Sequence, residues 1–285
     1  MIIAFLTDRL GNQLFQYAAA KALAIKNNTT VKLNKNFYTE QIGMGAYELH
    51  HFNIPEEFAT KAELKLYMWP NDSLTYRILR KIFPKKVYFE RTGGFDDNFK
   101  NLGDMVCLRG FWQSYKYFED IEDTIRKEFS IKHPLQGNNL VMAEKIQNCN
   151  AVSVHIRRGD YLKPENTGNY VSCSIKYYKA AIQLMQKKLE NPSFFFFSDD
   201  IEWVKENFKD SKHNYFVDFN TGKTAYEDLR LMTFCKANII ANSTFSWWAA
   251  WLNNNSSKVV VAPKKWFVDP EHSTKNLYPP NWISL

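Results

Sequence analysis

The chain has 285 residues, of which 45% are hydrophobic and 24% charged, as in soluble globular proteins, and this length allows two compact domains. Its formal net charge of +7 favours an anionic partner, and because lysine and arginine form only one loose cluster, we expect a nucleotide and no nucleic acid. Four widely spaced cysteines without a Cys-x-x-Cys pair argue against a disulfide scaffold or a zinc site.

The amino-terminal segment predicts a βαβ unit. An apolar strand at residues 2–6 precedes a turn with Gly11, a helix to about Lys26 and a strand at 31–33. One glycine is not the three-glycine dinucleotide fingerprint, so a nicotinamide site is not expected. The start is too short for the core of a signal peptide, and no apolar run approaches the roughly 20 residues of a membrane span. We therefore expect a cytoplasmic protein.

The middle of the chain is harder to interpret. Residues 36–130 are aromatic, charged and broken by prolines, which predicts short helices and irregular structure, with a further strand at 105–109. The polar stretch 133–139 contains proline and glycine and is the predicted linker. Two domains follow from it, residues 1–135 and 136–285.

The second half alternates strands with helices, which predicts a parallel, doubly wound sheet. The predicted strands are 151–157, 194–198, 214–219, 238–242 and 258–262. The predicted helices are 174–189, 201–208, 225–235 and 244–252. Ligands of such sheets bind at the carboxyl ends of the strands.

Residues 151–161 are the most informative segment, because a strand runs directly into Arg-Arg-Gly-Asp. His155 and Arg157 share one strand face near its carboxyl end. Two adjacent guanidiniums match the oxygens of a diphosphate, although an exposed turn is the alternative. Adjacent strand residues point to opposite faces, so we expect Arg157 to contact the ligand and Arg158 to brace the loop through an internal carboxylate.

A second polar segment, residues 242–248, follows a buried strand and begins a helix. It places backbone amides and several hydroxyls at a helix amino terminus, which is a natural anion site. The alternative is that Asn242 or Ser243 serves only as the N-cap. Together with Arg157, the segment predicts a diphosphate held between a guanidinium and a helix end.

Acidic residues follow two other strands. Asp199 and Asp200 allow either a divalent metal or a helix cap, and we favour capping with an orienting role. Asp228 lies in the first turn of a predicted helix, where its carboxylate is able to accept the two N–H groups of a guanine edge. Ordinary acidity at a helix start is the alternative for Asp228.

Four motifs resemble, in chain order, those of the α-1,2-fucosyltransferases of glycosyltransferase family 11, and bacterial members in particular. The motifs are residues 9–18, 155–161, 197–200 and 242–248. The resemblance implies an α/β, GT-B-like fold of two Rossmann-type halves with parallel sheets and the active site in the cleft between them. Residues 1–135 would form the acceptor-side domain and 136–285 the GDP-fucose-binding domain.

The resemblance implies transfer of L-fucose from GDP-β-L-fucose to the 2-hydroxyl of a galactose, with inversion and without a metal or other cofactor. His155 and Asp228 would contact guanine, Arg157 would hold the β-phosphate, and Asp160 would brace the arginine loop. The other implied contacts to donor or acceptor are Arg158, Asn242, Ser243, Thr244, Ser246, Gly11, Asn12 and Gln13. One local departure is Thr7–Asp8, where the family often has small, glycine-rich residues.

Two residues are candidates for the general base that an inverting displacement expects. Glu165 follows the arginine motif at a spacing that resembles that of the base in related core fucosyltransferases, and Asp8 is its rival. A dissociative transition state, in which the departing phosphate takes the proton, requires neither.

The acceptor implied by the resemblance is a galactose-terminated oligosaccharide or lipid-linked glycan destined for the surface or capsule. Peripheral contact with the inner face of the membrane is compatible with that acceptor. Two other classes of function stay open. They are another GDP-sugar glycosyltransferase and a catalytically inactive nucleotide- or glycan-binding module.

Overall fold

A computed structural model describes residues 1–40, 45–67, 86–91, 94–159, 172–209, 212–267 and 276–285. The chain forms two compact units, one of Met1–Ser130 with Lys275–Tyr278 and one of Ile131–Thr274 with Pro279–Leu285. The first unit therefore ends five residues before the predicted boundary at 135. A short segment near the carboxyl terminus also belongs to it, which a single linker does not predict.

The first unit contains a parallel sheet whose described strands lie in the order β2-β1-β4-β3. Its elements are β1 (Ile2–Phe5), α1 (Leu10–Lys26), β2 (Val31–Asn34), α2 (Phe37–Glu40), α3 (Lys61–Tyr67), β3 (Val87–Phe89), β4 (Val106–Arg109) and α4 (Glu122–Glu128). The predicted βαβ opening and the strand near 105–109 are confirmed. The strand β3 was not predicted, because three residues are too few to show an alternating pattern.

The core of this unit is built around β1, whose residues are all buried. Helix α1 buries Leu14, Phe15 and a run of alanines, and small side chains let it approach β1 closely. Ile3 and Phe5 of β1 form a hydrophobic cluster with Leu64 of α3. All four residues of β1 are buried and the strand pairs with both β2 and β4, so β1 lies at the centre of this core.

The second unit contains a parallel sheet in the order β10-β9-β8-β5-β6-β7. Its elements are α5 (Gly137–Gln147), β5 (Ala151–Ile156), α6 (Ile175–Lys188), β6 (Ser193–Ser198), α7 (Ile201–Phe208), β7 (Asn214–Val217), α8 (Ala225–Thr233), β8 (Ala237–Ile239), α9 (Thr244–Leu252), β9 (Val259–Ala262) and β10 (Ile283–Ser284). The predicted alternation of strands and helices is confirmed. The predicted linker was wrong at its end, since α5 begins at Gly137 and includes residues 138–139.

Burial on both faces explains the two central strands. Every residue of β5 is buried, and the four phenylalanines Phe194–Phe197 of β6 are at most 3% exposed. Such strands occur where helices cover a parallel sheet on both sides. Val152, Val154, Phe194 and Phe196 pack with α6 on one of these sides.

The strand order places a topological switch point beside β5. From β5 the chain adds β6 and β7 on one side and later β8, β9 and β10 on the other. The loops that leave β5 and β8 therefore diverge, and ligands of open α/β sheets bind in the crevice formed there. The arginine motif follows β5 and the polar segment from Asn242 follows β8, so the fold brings both predicted motifs to one crevice.

Candidate functional site

The two adjacent arginines bind two adjacent carboxylates. One guanidinium nitrogen of Arg157 lies 3.1 Å from Oδ2 of Asp199, and Nε of Arg158 lies 3.1 Å from Oδ2 of Asp200. The backbone N–H of Arg158 also donates to Oδ1 of Asp199 at 2.9 Å. The carboxylates at the end of β6 thus hold the arginine loop in place, as the capping and orienting interpretation predicted.

Arg158 stabilises the arginine loop by two contacts with the start of α7. Its guanidinium lies 3.8 Å from the centre of the Trp203 ring in α7, in addition to its pairing with Asp200. Asp200 is the N-cap of α7 and accepts from the N–H of Trp203 at 3.4 Å. The expectation that Arg158 braces the loop through an internal carboxylate is confirmed. Its contact with the donor stays a prediction.

Gly159 lets the loop approach β6 closely. A Cβ atom at this position would lie 2.8 Å from Oδ2 of Asp199, closer than such contacts occur. The carboxylate that holds Arg157 therefore occupies the space that any larger residue at Gly159 would require. Close packing against Asp199 thus explains why the Arg-Arg-Gly-Asp motif has a glycine at this position.

The amino terminus of α9 leaves donor groups for a ligand. Ser243 is its N-cap residue, but the Ser243 side chain forms no capping hydrogen bond. The first backbone N–H groups of a helix carry partial positive charge and require an acceptor. Thr244 is half-buried beside Ser243. Simple capping therefore does not account for Ser243, and an anion site fits this helix end.

Two other residues of this segment are held inside the unit. The amide nitrogen of Asn242 donates to the carbonyl of Trp266 at 3.1 Å, and its oxygen accepts from Sγ of Cys173 at 3.4 Å. Ser246 is fully buried and donates to the carbonyl of Ser243 at 3.3 Å. Both residues shape the helix start, and their predicted contact with the donor stays untested.

His155 is a neutral imidazole beside this helix. It is 5% exposed, and its ring lies 5.5 Å from that of Phe245. Burial, with the nearby charge of Arg157, lowers the pKa of His155 to about 3. Among the described residues, the buried Nδ1 atom has no hydrogen-bond partner, which is unusual for a buried polar group. His155 is thus a neutral, buried imidazole at the carboxyl end of β5, and its predicted contact with guanine stays a prediction.

Asp228 is a buried carboxylate with few donors. It is 9% exposed, and its Oδ1 accepts from Nδ2 of Asn220 at 2.8 Å. Asn220 and Asn139 exchange a pair of amide hydrogen bonds of 2.7 and 2.9 Å. Burial raises the pKa of Asp228 to about 7, with repulsion from Glu227 adding to it and the Asn220 bond opposing it. A ligand with two N–H donors would stabilise the charged form.

Gly11, Asn12 and Gln13, which were predicted to contact donor or acceptor, make contacts within the first unit. The Gln13 amide donates to the carbonyls of Asp8 and Ala46 at 3.0 and 2.7 Å and accepts from the N–H of Glu48. Gln13 is fully buried, so its saturated amide nitrogen does not favour the predicted contact with a substrate. Gly11 is also buried, and Asn12 accepts from Gln113 at 3.0 Å.

Asp8 adopts a backbone φ of 62°, in the region that favours glycine. The departure at Thr7–Asp8 thus falls where a glycine-rich sequence would fit without strain. Asp160 and Glu165, predicted together with Arg157 as catalytic residues, lie outside the described residues. Within the described ranges, no group of three or more His, Cys, Asp or Glu side chains is arranged to hold a metal ion.

Two parallel-sheet α/β units, one of which has a guanidinium and a helix amino terminus at its switch point, are the architecture of a GT-B-like glycosyltransferase. The sequence profile of glycosyl transferase family 11 matches residues 1–285. The chain belongs to glycosyl transferase family 11.

Relatives in bacteria extend over the whole chain. An α-1,2-colitosyltransferase of Escherichia coli is 34% identical over 100% of this chain and 99% of its own length. The O-antigen biosynthesis glycosyltransferase WbnK of E. coli is 31% identical over 98% and 99%. A human galactoside α-(1,2)-fucosyltransferase 1 is 26% identical over 86% of this chain and 63% of its own length.

Solved structures confirm the fold. The crystal structure of the fucosyltransferase NodZ from Bradyrhizobium matches with a TM-score of 0.55 at 12% identity, covering 87% of this chain and 91% of its own. The α/β architecture with two parallel sheets is therefore GT-B-like, as predicted. No helix in the described part of the chain has the length and apolar character needed to cross a membrane.

Several residues of the site were not found from the sequence. Asn220 and Asn139 hold Asp228, Trp203 supports Arg158, and Phe245 lies against His155. Asn220 follows β7, and a polar residue after a strand is a usable signal. The Asn139 contact joins positions 81 residues apart, which no local pattern indicates.

Proposed function

We propose that this glycosyltransferase is an inverting galactoside α-1,2-fucosyltransferase. It moves L-fucose from GDP-β-L-fucose to the 2-hydroxyl of a terminal galactose in a surface or capsular glycan. The observation that carries the proposal is Arg157, held by Asp199 at the switch point beside the open end of α9. A NodZ structure soaked with GDP-fucose shares this fold, which supports the choice of donor.

The nucleotide is recognised through its base in this proposal. Guanine offers two adjacent N–H donors, and the Asp228 carboxylate is buried with Asn220 as its donor. His155, a neutral imidazole at the carboxyl end of β5, supplies a second polar contact in this proposal. Adenine lacks this pair of donors, so the site selects guanine.

The leaving diphosphate is stabilised by fixed charge. As the bond from the fucose C1 to the β-phosphate oxygen breaks, negative charge grows on the phosphate and C1 gains oxocarbenium character. Arg157 and the first N–H groups of α9 face that charge without reorganising, because Asp199 already fixes the arginine. We expect turnover to persist in excess EDTA, and abolition by EDTA with recovery on adding a divalent cation would overturn the metal-independent form.

The acceptor proton has two candidate bases, Asp8 and Glu165. The strained backbone of Asp8 lies at the carboxyl end of β1, where strain is often retained for function. Measuring the rate of the Asp8→Asn and Glu165→Gln variants against pH decides between them. Near wild-type rates in both would favour proton transfer to the departing phosphate.

A second donor is supported by the colitosyltransferase relative, which is 34% identical over the whole chain. Colitose is L-fucose without its 3-hydroxyl, so a site that holds GDP and the apolar C6 methyl group accepts either sugar unless it binds O3. The alternative function is therefore transfer of colitose in the same linkage.

The deciding experiment supplies GDP-fucose, GDP-colitose and GDP-mannose to the purified full chain with a panel of β-galactosides. We expect release of GDP with GDP-fucose and a product whose NMR spectrum shows an α-1,2 linkage to galactose. Preference for GDP-colitose would replace the donor, and preference for GDP-mannose would favour another GDP-sugar transferase. Binding of GDP without transfer to any acceptor would indicate a binding module.

A further inference from the structure

The carboxyl edge of the first sheet carries two exposed phenylalanines. Phe89 ends β3 and is 57% exposed, and Phe111 follows β4 and is 48% exposed. Large apolar side chains at the ligand-binding edge of a parallel sheet call for an explanation, since such edges carry function.

The turn that presents Phe111 is rigid. Gly110 and Trp112 on either side of Phe111 have φ values of 156° and 56°, and the Trp112 ring is fully buried. A Cβ on Gly110 would lie 2.5 Å from Cβ of Glu90. Positive φ in a bulky residue costs energy and persists where the surrounding structure imposes it. Phe111 is therefore held out from the edge by a strained, fixed backbone.

Glu90 is the group that fixes this turn. Its Oε2 accepts from the backbone N–H groups of Phe111 and Trp112 at 2.8 and 2.9 Å, and the Glu90 N–H donates to the carbonyl of Arg109 at 2.9 Å. These three bonds tie the end of β3 to the turn after β4. Phe89 and Phe111 are consequently presented from one braced structure.

The guanidinium of Arg109 stacks on aromatic rings at the same edge of the sheet. Arg109 is paired with Phe89 in register, and its guanidinium carbon lies 4.1 Å from the centre of the Phe5 ring and 5.5 Å from that of Phe89. Stacking uses the flat face of a guanidinium and leaves its in-plane N–H donors for hydrogen bonds. The edge thus offers aromatic faces beside a fork of donors.

We infer that this edge binds a pyranose of the acceptor glycan, with Phe111 as the residue on which the sugar stacks. A galactoside has one face of C–H groups and a rim of hydroxyls, which match an exposed ring and the Arg109 donors. A nucleotide is disfavoured, because its base and phosphates require the charged groups found in the second unit. The inference rests on the proposed function, and Glu90 acts in it as a positioning residue.

The test compares Phe111→Ala with Phe111→Trp in the full chain, and Ile25→Ala is the matched control. Ile25 is 46% exposed in the last turn of α1 in the same unit, shortly before β2 begins, and so lies toward the amino ends of the strands and not at their carboxyl edge. With saturating GDP-fucose, we expect Phe111→Ala to raise the acceptor KM at least tenfold with little change in kcat or donor KM. Phe111→Trp keeps the KM within about threefold, and Ile25→Ala leaves it unchanged.

A second measurement does not depend on transfer. Saturation-transfer NMR with methyl β-galactoside, in the presence of GDP, detects sugar protons that contact the protein. Signals in the wild type that vanish in Phe111→Ala support the inference even if no donor is turned over, in which case only the proposed function fails. Unchanged signals, or an unchanged acceptor KM in a folded Phe111→Ala variant, overturn it.

Discussion

The carboxyl edges of the two sheets are built from different chemistry. The edge of the second sheet is organised by ions, with Arg157 on Asp199 and Arg158 on Asp200. The edge of the first sheet is organised by the neutral side-chain amide of Gln13 and by aromatic rings, and the Glu90 carboxylate there accepts hydrogen bonds from backbone N–H groups. One fold type thus presents two edges of different chemistry, which fits the proposed charged donor at one and the proposed sugar at the other, and the loop residues make the difference.

The largest expected effect comes from the ionic edge. In the proposed mechanism, replacing Arg157 with Ala removes the donor that faces the departing phosphate, and we expect kcat to fall by roughly 10²–10³. Arg158→Ala should lose less activity and more thermal stability, because Arg158 stacks on Trp203 and braces the loop. Steady-state kinetics and melting curves of both variants measure the contrast. Equal kinetic losses would show that the two arginines share one role.

Asp228 gives the next effect, on nucleotide binding. Its pKa of about 7 means that free enzyme is protonated there in acid, so GDP affinity should weaken by up to about tenfold per pH unit below pH 7. Asp228→Asn should bind GDP more weakly at pH 8 and lose this pH dependence. Calorimetric titration from pH 5.5 to about 8 provides the test. A wild-type affinity independent of pH would remove Asp228 from the guanine contact.

The Gly159→Ala variant tests whether the packing that holds Arg157 in place matters for activity. An alanine Cβ would displace the Asp199 carboxylate, which frees Arg157 from its fixed position. We expect a folded protein whose kcat is lowered about tenfold, since misplacing a group by a fraction of an ångström is costly in catalysis. The companion variant Asp199→Asn should show a similar loss. Full activity in both would mean that Arg157 needs no support.

The last effect is on stability and not on activity, and it concerns Glu90 at the edge of the first sheet. Burial raises the pKa of Glu90 to about 7, against the hydrogen bonds from Trp112, Phe111 and Tyr117, while repulsion from Asp96 adds to the increase. Its pKa is higher folded than unfolded, so the stability it contributes is present below about pH 4.5 and is lost as pH rises through about 7.

The free energy of unfolding of the Glu90→Gln variant, relative to that of the wild type, should therefore increase by about 1–3 kcal/mol as pH rises from 5 to 8. Denaturant unfolding at several pH values measures this difference. A difference in stability that does not change with pH would contradict the assignment. Phe111 should keep its position in the variant, because a glutamine oxygen also accepts backbone N–H bonds.

The sequence was most informative where one pattern controls one element. Buried strands such as β5 and β6, and the helices between them, follow from apolar runs and period. The strand order, and with it the switch point beside β5, does not follow from that alternation. The pairing of Arg158 with a carboxylate was also predictable, since side chains of adjacent residues diverge.

Other features depend on contacts between distant segments. The Asn139 contact with Asn220 and the Glu90 bonds to residues 111–112 join parts of the chain that no local pattern connects. The predicted linker ended wrongly because Gly137, at a φ of 53°, begins a helix there. Polar composition alone does not distinguish a linker from a solvated helix start.

The assignment of Lys275–Tyr278 to the first unit has a consequence for cutting the protein in two. Within this segment, the carbonyl of Asn276 accepts from the hydroxyl of Ser114 at 2.7 Å, and Ser114 is fully buried. A fragment that stops at Ser130 would leave that hydroxyl without its partner. The two halves are therefore interlaced along the chain, and separating or exchanging them requires more than one break in the polypeptide.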